Sequence, residues 1–181
     1  MPVYEPQEDS ALLQQFVAKL ACGDVLDMGT GSGIQAVTAA ACEAVQSVLA
    51  VDIDEEALVF AREHHAHEKV SYRKSDLFSG LKEEESFDTI IFNPPYLPNE
   101  EGDEHPALYG GKHGWELTVR FLKEAKRHLK AGGQVLLVVS TLANSEHVLR
   151  EAQRLGWHHE LLGEEAYFFE RVSVHRLWRQ P

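Results

Sequence analysis

The chain is poor in cysteine, in positive charge and in long apolar runs, and each shortage excludes something. Its 181 residues include two cysteines, Cys22 and Cys42, with no metal-type spacing between them. That rules out a disulfide-stapled scaffold or a zinc ribbon and predicts buried free thiols in a reducing, cytoplasmic setting. No apolar run reaches membrane-spanning length, and the opening "MPVYEPQEDS" lacks the basic-then-apolar order of a signal peptide. Lys and Arg number 17 against 29 Asp and Glu, for a net charge of −12. A field of that sign opposes capture of nucleic acid by the chain alone, so no direct nucleic-acid binding is expected. It leaves room for a basic protein partner. There is no internal repeat, low-complexity tract or linker. One domain is therefore expected over residues 1–181, with 1–22 as an N-terminal helix or lid and 23–181 as the core.

What is present is an alternation of strand-like and helix-like segments, which predicts an α/β fold with a mostly parallel sheet. Leu12, Leu13, Phe16, Val17 and Leu20 recur at helical spacing after the acidic, cap-like "EDS". Strands are expected at 24–28, 47–52, 69–76, 87–92 and 134–140, and Asp54 is placed to cap the helix that follows the second. A helix over 115–130 is expected to stop at Gly132 and Gly133, and another to run over 145–156. The last segment, "WHHELLGEEAYFFERVSVHRLWR", lacks helical period and predicts two strands joined by a turn near Gly163 to Ala166. Trp157, Phe168, Phe169 and Trp178 are expected to pack those strands on the sheet.

Three strand ends in succession carry glycines or acids. Gly29, Gly31 and Gly33 follow Asp27, and glycines there permit a sharp turn and close approach to a ligand. The G-x-G-x-G spacing differs from the dinucleotide fingerprint. Asp52 ends the second strand, about 20 residues on, where a carboxylate can hold ribose hydroxyls, with Ile53 after it. Asp76 ends the third, where it can accept from an adenine amino group beside Leu77. Any one of these acids alone reads as a cap or turn residue; in order, on one sheet edge, they predict a nucleoside pocket. Asp27 would repel a pyrophosphate but suits a sulfonium or ammonium group, which favours S-adenosylmethionine as cofactor.

The fourth strand ends on Asn93-Pro94-Pro95-Tyr96, which cannot continue a ladder. With "VLDMGTGSG", "VDID" and "SDLF" before it, "FNPPY" resembles the class I S-adenosylmethionine-dependent methyltransferases that modify planar amino groups. The opening "VYEPQEDSALL" and the later "YGGKHGWE" are similar to the HemK-related protein glutamine-N5 methyltransferases, in their compact archaeal and eukaryotic branch. The resemblance runs from Tyr4 to the end of the strand over 134–140. It implies a Rossmann-like fold with a seven-stranded, mostly parallel sheet, an antiparallel C-terminal strand and helices on both faces. It implies as acceptor the glutamine of a Gly-Gly-Gln motif in a translation release factor. A small zinc-binding activator that pairs with the sheet is also implied. One departure stands out: roughly 20 residues precede the first strand, where bacterial members carry a helical domain, so substrate recognition is built differently. Val45, Val48, Leu49, Val70 and Tyr72 are expected at an apolar sheet edge where a partner strand could add.

Physically, the side-chain oxygen of Asn93 and the carbonyl of Pro94 can each accept one N–H of a poorly nucleophilic planar nitrogen, with both prolines fixing the acceptors. Tyr96 can cover the planar group or hydrogen-bond near it, and Asn93 also adjoins the cofactor. By resemblance, Ser10 lines the cofactor site, though plain helix capping would also explain it. Tyr109, Gly110 and Gly111 belong by resemblance on the substrate side, or form a loop turn. The acidic stretch 99–105 is a docking patch or a solvated insertion, and His64, His67 and Glu68 read better as a solvated helix end than as a metal site. No metal is expected. Competing functions are methylation of adenine or guanine amino groups, methylation of protein lysine, and cofactor binding without catalysis.

Overall fold

Alternation along the strands determines the layers, because successive side chains of a strand point to opposite faces. Ile90 and Phe92 join one buried cluster while Ile91 joins the other; Val135, Leu137 and Val139 oppose Leu136 and Val138 in the same way. A sheet that is apolar on both faces must be covered on both. The computed structural model describes residues 8–99 and 109–180. In chain order it contains α1 (Glu8–Leu20), β1 (Gly23–Met28), α2 (Ile34–Ala40), β2 (Val45–Asp52), α3 (Glu55–His64), β3 (Val70–Lys74) and β4 (Phe87–Phe92). Two short strands follow, β5 (Leu97–Pro98) and β6 (Tyr109–Gly111), then α4 (Glu116–Ala125), β7 (Leu129–Ser140), α5 (Ser145–Arg154), β8 (Trp157–Ala166) and β9 (Arg171–Arg179).

The main sheet has seven strands in the order β3-β2-β1-β4-β7-β9-β8. The first five are parallel, and β9 lies antiparallel between β7 and β8. Leu12, Leu13 and Val17 of α1 and Ala36, Ala39 and Ala40 of α2 cover one face. Phe121, Leu122 and Ala125 of α4 and Val148 and Ala152 of α5 cover the other. Asp54 caps α3 by accepting from the Glu56 N–H at 2.9 Å. Among the described residues, no helix is long and apolar enough to cross a membrane.

Several local expectations are corrected. The fourth helix ends at Ala125, not at the glycines. The Phe87 N–H donates to the His128 carbonyl and draws the chain into the sheet, so Gly132 and Gly133 lie within β7. Gly163 is not a turn residue: it sits at a register shift inside β8, where any Cβ would strike the Phe16 ring. The turn lies at 167–170, closed by the Tyr167 N–H on the Glu170 carbonyl at 2.7 Å. At its tip Phe168 and Phe169 are 92% and 85% exposed and touch each other edge to face, so they pack nothing onto the sheet, while Trp157 is buried. Cys22 is exposed and Cys42 half-buried, both free thiols, and each lies in the loop that follows a helix and not within a buried element. Val45, Val48 and Leu49 belong to β2 and are buried, with β3 outside them, so this edge of the sheet is β3 and the opposite one is β8. Ser71, Arg73 and Lys74 make that edge more polar than expected.

Candidate active site

The parallel strands deliver their carboxyl ends to one edge, where ligands bind in open α/β sheets. After β1 the chain turns through Gly29, Gly31 and Gly33 at φ of 62°, 51° and 86°, the left-handed region that glycine tolerates. A Cβ on Gly31 would meet nothing nearer than 4.0 Å, so its loop is open to a ligand, whereas one on Gly33 would collide with Ala61 of α3. The Gly31 N–H donates to Asp52 Oδ2 and the Asp54 N–H to Asp52 Oδ1, each at 2.9 Å. These two bonds aim the Asp52 carboxylate across the loop mouth. Burial raises its pKa against those bonds. Asp27 is fully enclosed and accepts from Thr30 Oγ1 at 2.6 Å. Burial pushes it up to about 7, opposed by Thr30 and reinforced by the charge of Asp52. Beside Asp52, Ile53 is 51% exposed, an apolar side chain at the rim of an otherwise polar mouth. Asp76 pairs with the Arg120 guanidinium, and Leu77 follows it, buried, at φ 46°.

At the end of β4 the Asn93 amide is fixed from α1. Its Nδ2 donates to Asp9 Oδ2 at 3.1 Å and to Ser10 Oγ at 3.3 Å. Its Oδ1 is buried and has no hydrogen-bond partner among the described residues. An unpaired buried oxygen is costly unless something arrives to donate to it. Pro94 is buried; Pro95 and Tyr96 are half-buried. Burial first, and then the charge and hydrogen bond of Asp9, raise the Tyr96 phenol above its usual range. The backbone beyond Tyr96 forms β5, which pairs with β6, so Tyr109, Gly110 and Gly111 adjoin the tetrad. A side chain on Gly110 would overlap the carbonyl oxygens of Pro95 and Gly114, and one on Gly114 that of Tyr96.

Thus the fold gathers Asp27, the glycine loop, Asp52, Ile53, Asp76 and Leu77 on one stretch of the edge and Ser10 with the tetrad beside it. Ser10 lies inside the first turn of α1, not before it, and its carbonyl accepts from Gln35 Nε2 at 2.8 Å, so capping is not its role. Asp9, Gln35 and Gly114 escaped the sequence reading. The only signal for Asp9 was its place in "EDS", which also fits an acidic first turn. The opening residues up to Gln7 and, apart from Asn99, the acidic stretch 99–105 lie outside the described residues.

His64 Nδ1 bonds the Phe60 carbonyl, and His67 Nδ1 accepts from the Lys69 N–H. Among the described residues no three acidic, histidine or cysteine side chains converge on a metal position. Two surface clefts, along 156–159 with Trp178 and around Asp24 and Phe87 at the opposite end of the strands, lie away from this edge.

The family described as "Methyltransferase small domain" matches residues 7–167. A Methanocaldococcus jannaschii protein named as an N5-glutamine methyltransferase is 34% identical, over 98% of this chain and 92% of its own. The release factor glutamine methyltransferase of Rhodopirellula baltica is 39% identical over 65% of this chain and 45% of its own, so this chain spans about half of such bacterial relatives. Among solved structures, a chain of the E. cuniculi Mtq2–Trm112 complex, responsible for methylation of the translation termination factor eRF1, superposes with a TM-score of 0.80. That chain is 25% identical, and the match covers 99% of this chain and all of that one.

Proposed function

The chain belongs to the Methyltransferase small domain family, and from that premise we propose that it is an S-adenosylmethionine-dependent enzyme that methylates the side-chain amide of a protein glutamine, that of a Gly-Gly-Gln motif in a translation release factor. One observation carries this: the buried, unpartnered Oδ1 of Asn93 at the end of β4. It is an acceptor without a donor, and a primary amide brings two N–H donors. Asn93 Oδ1 takes one of them and the Pro94 carbonyl the other, which holds the nitrogen and supports the positive charge it gains. The ring of Tyr96 covers the planar group. No general base is needed before transfer, because the nitrogen becomes acidic only once methylated.

The residues present fit the cofactor. The open loop at Gly31 accommodates close approach, Asp52 faces the ribose hydroxyls, and Ile53, Asp76 and Leu77 flank the base. Asp27 is a buried carboxyl with no cationic partner among the described residues, and a positively charged ligand supplies one. S-adenosylmethionine brings a methyl group on a sulfonium centre, which a nitrogen lone pair can take. Ser10 and Asn93 stand where the cofactor and acceptor halves of the site meet. Tyr109 with Gly110 and Gly111 bounds the acceptor side.

Residues 1–181 act as one catalytic domain, in the cytoplasm, where release factors work. A small zinc-binding protein pairs with the free edge of β3 as activating subunit, in keeping with the complex from which the superposing E. cuniculi chain comes. The test is incubation with labelled cofactor and purified release factor, ribosomal protein, histone tail or nucleic acid, followed by mapping of the label. Label on the Gly-Gly-Gln glutamine that Asn93→Ala abolishes supports the assignment; label on lysine or a nucleobase overturns it. Turnover should fall roughly 10²-fold or more in that variant while cofactor affinity stays within several-fold.

A further inference from the structure

We propose that Asp9 is a positioning residue for methyl transfer, whose carboxylate sets the orientation of the Asn93 amide so that Oδ1, and not Nδ2, faces the acceptor nitrogen. The inference rests on the assignment of Asn93 to the acceptor and supplies what that assignment lacks. An asparagine amide has nearly the same shape either way round, so steric fit alone does not choose which end accepts. Of its two hydrogen-bond partners among the described residues, the Ser10 hydroxyl at 3.3 Å can donate or accept and serves both orientations. The Asp9 carboxylate at 3.1 Å only accepts. Turning the amide would set two oxygens against each other there and aim N–H groups at the N–H groups of the acceptor. The choice therefore falls on Asp9.

Asp9 is itself held. It is 4% exposed, its Oδ1 accepts from the Ser10 N–H at 2.6 Å, and it lies in the first turn of α1, where negative charge is favoured. The Tyr96 hydroxyl is hydrogen-bonded to the same carboxylate, so one side chain joins both ends of the tetrad to α1. The helix is anchored in turn by Leu12, Leu13 and Val17 in the core and by Gln35 on the Ser10 carbonyl. It is a wall of the site as well as a cover.

A reciprocal exchange tests this, using the purified chain with its activating subunit where one is needed, a release-factor Gly-Gly-Gln domain and labelled S-adenosylmethionine. In Asp9→Asn one of the two acceptor positions becomes a donor. The oxygen goes to the Ser10 N–H, the new NH₂ meets Asn93, and the Asn93 amide turns. Turnover is expected to fall roughly 10²-fold with cofactor affinity by calorimetry within a few-fold. Asn93→Asp alone sets two carboxylates face to face and is also expected to be slow. In the double variant the amide at position 9 donates to one oxygen at position 93 and leaves the other free to accept, so turnover should recover at least tenfold over Asp9→Asn. A merely structural role for Asp9 predicts no such recovery. A slow double variant with intact cofactor binding overturns the proposal, as does wild-type turnover in Asp9→Asn while Asn93→Ala is dead. An active Asn93→Ala defeats instead the assignment beneath it. A measurement on the unmodified protein needs no substrate: the Asn93 side-chain amide protons, followed by ¹⁵N NMR, should exchange slowly with solvent. Fast exchange would show that Asp9 does not hold them.

Discussion

A carboxyl buried as deeply as Asp27 holds its proton to about pH 7, and that sets how the site responds to pH. The folded pKa lies above the unfolded value of 3.8, so the fold keeps its full stability from this group below pH 3.8. It loses that stability as pH rises towards 7 and loses no more beyond. Cationic ligands prefer the ionised form, so S-adenosylmethionine affinity should rise with pH up to about 7 and then level off. Calorimetric titrations from pH 5.5 to 8.5 check this; Asp27→Asn should flatten the profile. Asp52→Ala should weaken the same binding by roughly 1.5–3 kcal/mol, as the loss of charge-assisted bonds, with unchanged affinity in the calorimeter counting against the ribose role. The places of Asp27, Asp52 and Asn93 at the carboxyl ends of β1, β2 and β4 are legible because a strand end with an acid, glycine or proline is a local pattern. That of Asp9 is not, because its partner Asn93 is 84 residues away and no spacing encodes that contact.

The bounds of β4 match the expected 87–92, since Phe87–Phe92 is bounded by polar residues and prolines, whereas β7 begins at Leu129, ahead of the apolar run that marks it in the sequence. Errors arose where one residue type serves two purposes. Gly163 has the composition of a turn, yet the glycine is there to admit Phe16 of α1, a tertiary demand. Gly132 and Gly133 fit a helix stop, yet the helix has already ended where the Phe87–His128 bond pulls the chain into β7. The same contrast gives two predictions. Phe168 and Phe169 are almost wholly exposed and touch each other, so replacing both with serine should leave the thermal midpoint within about 1–2 °C, as surface substitutions do. Gly110 gives no room for any side chain against Pro95 and Gly114. Gly110→Ala should therefore push the backbone of the tetrad out of place, costing about 1–3 kcal/mol of stability by denaturant titration. Turnover should be lost with cofactor affinity retained, since the glycine loop lies on other strands. Near-normal turnover in that variant would detach β6 from the acceptor site.

At the scale of the whole molecule, a net charge of −12 and a free strand edge have to be explained together. The two edges of the sheet differ. β8 is ten residues long, with Trp157 buried at its start, whereas β3 has five residues and stands beside the strand that carries Asp52. The Ser75 N–H donates to the Asp52 carbonyl, and the Lys69 carbonyl accepts from Val48. By the period of two, the main-chain groups that face outward from β3 are those of Val70, Tyr72 and Lys74, of which the Val70 N–H donates to the His67 carbonyl and the Lys74 carbonyl lies against Gly80. Outward groups left without such cover can accept another strand, and a basic partner there would also offset the acidic surface. The strand is short and bears Arg73, bound to Glu85, and Lys74, both devices that keep an edge soluble in a monomer. The two outcomes separate experimentally. Pairing predicts that a small basic subunit forms a one-to-one complex by light scattering, raises turnover, and is lost when Lys74→Pro removes an outward N–H. Cofactor affinity should change little in that variant, because position 74 turns its backbone away from the cofactor loops. A monodisperse monomer with full turnover on its substrate, and no gain from cell extract, would mean that the edge is protected by its charges alone.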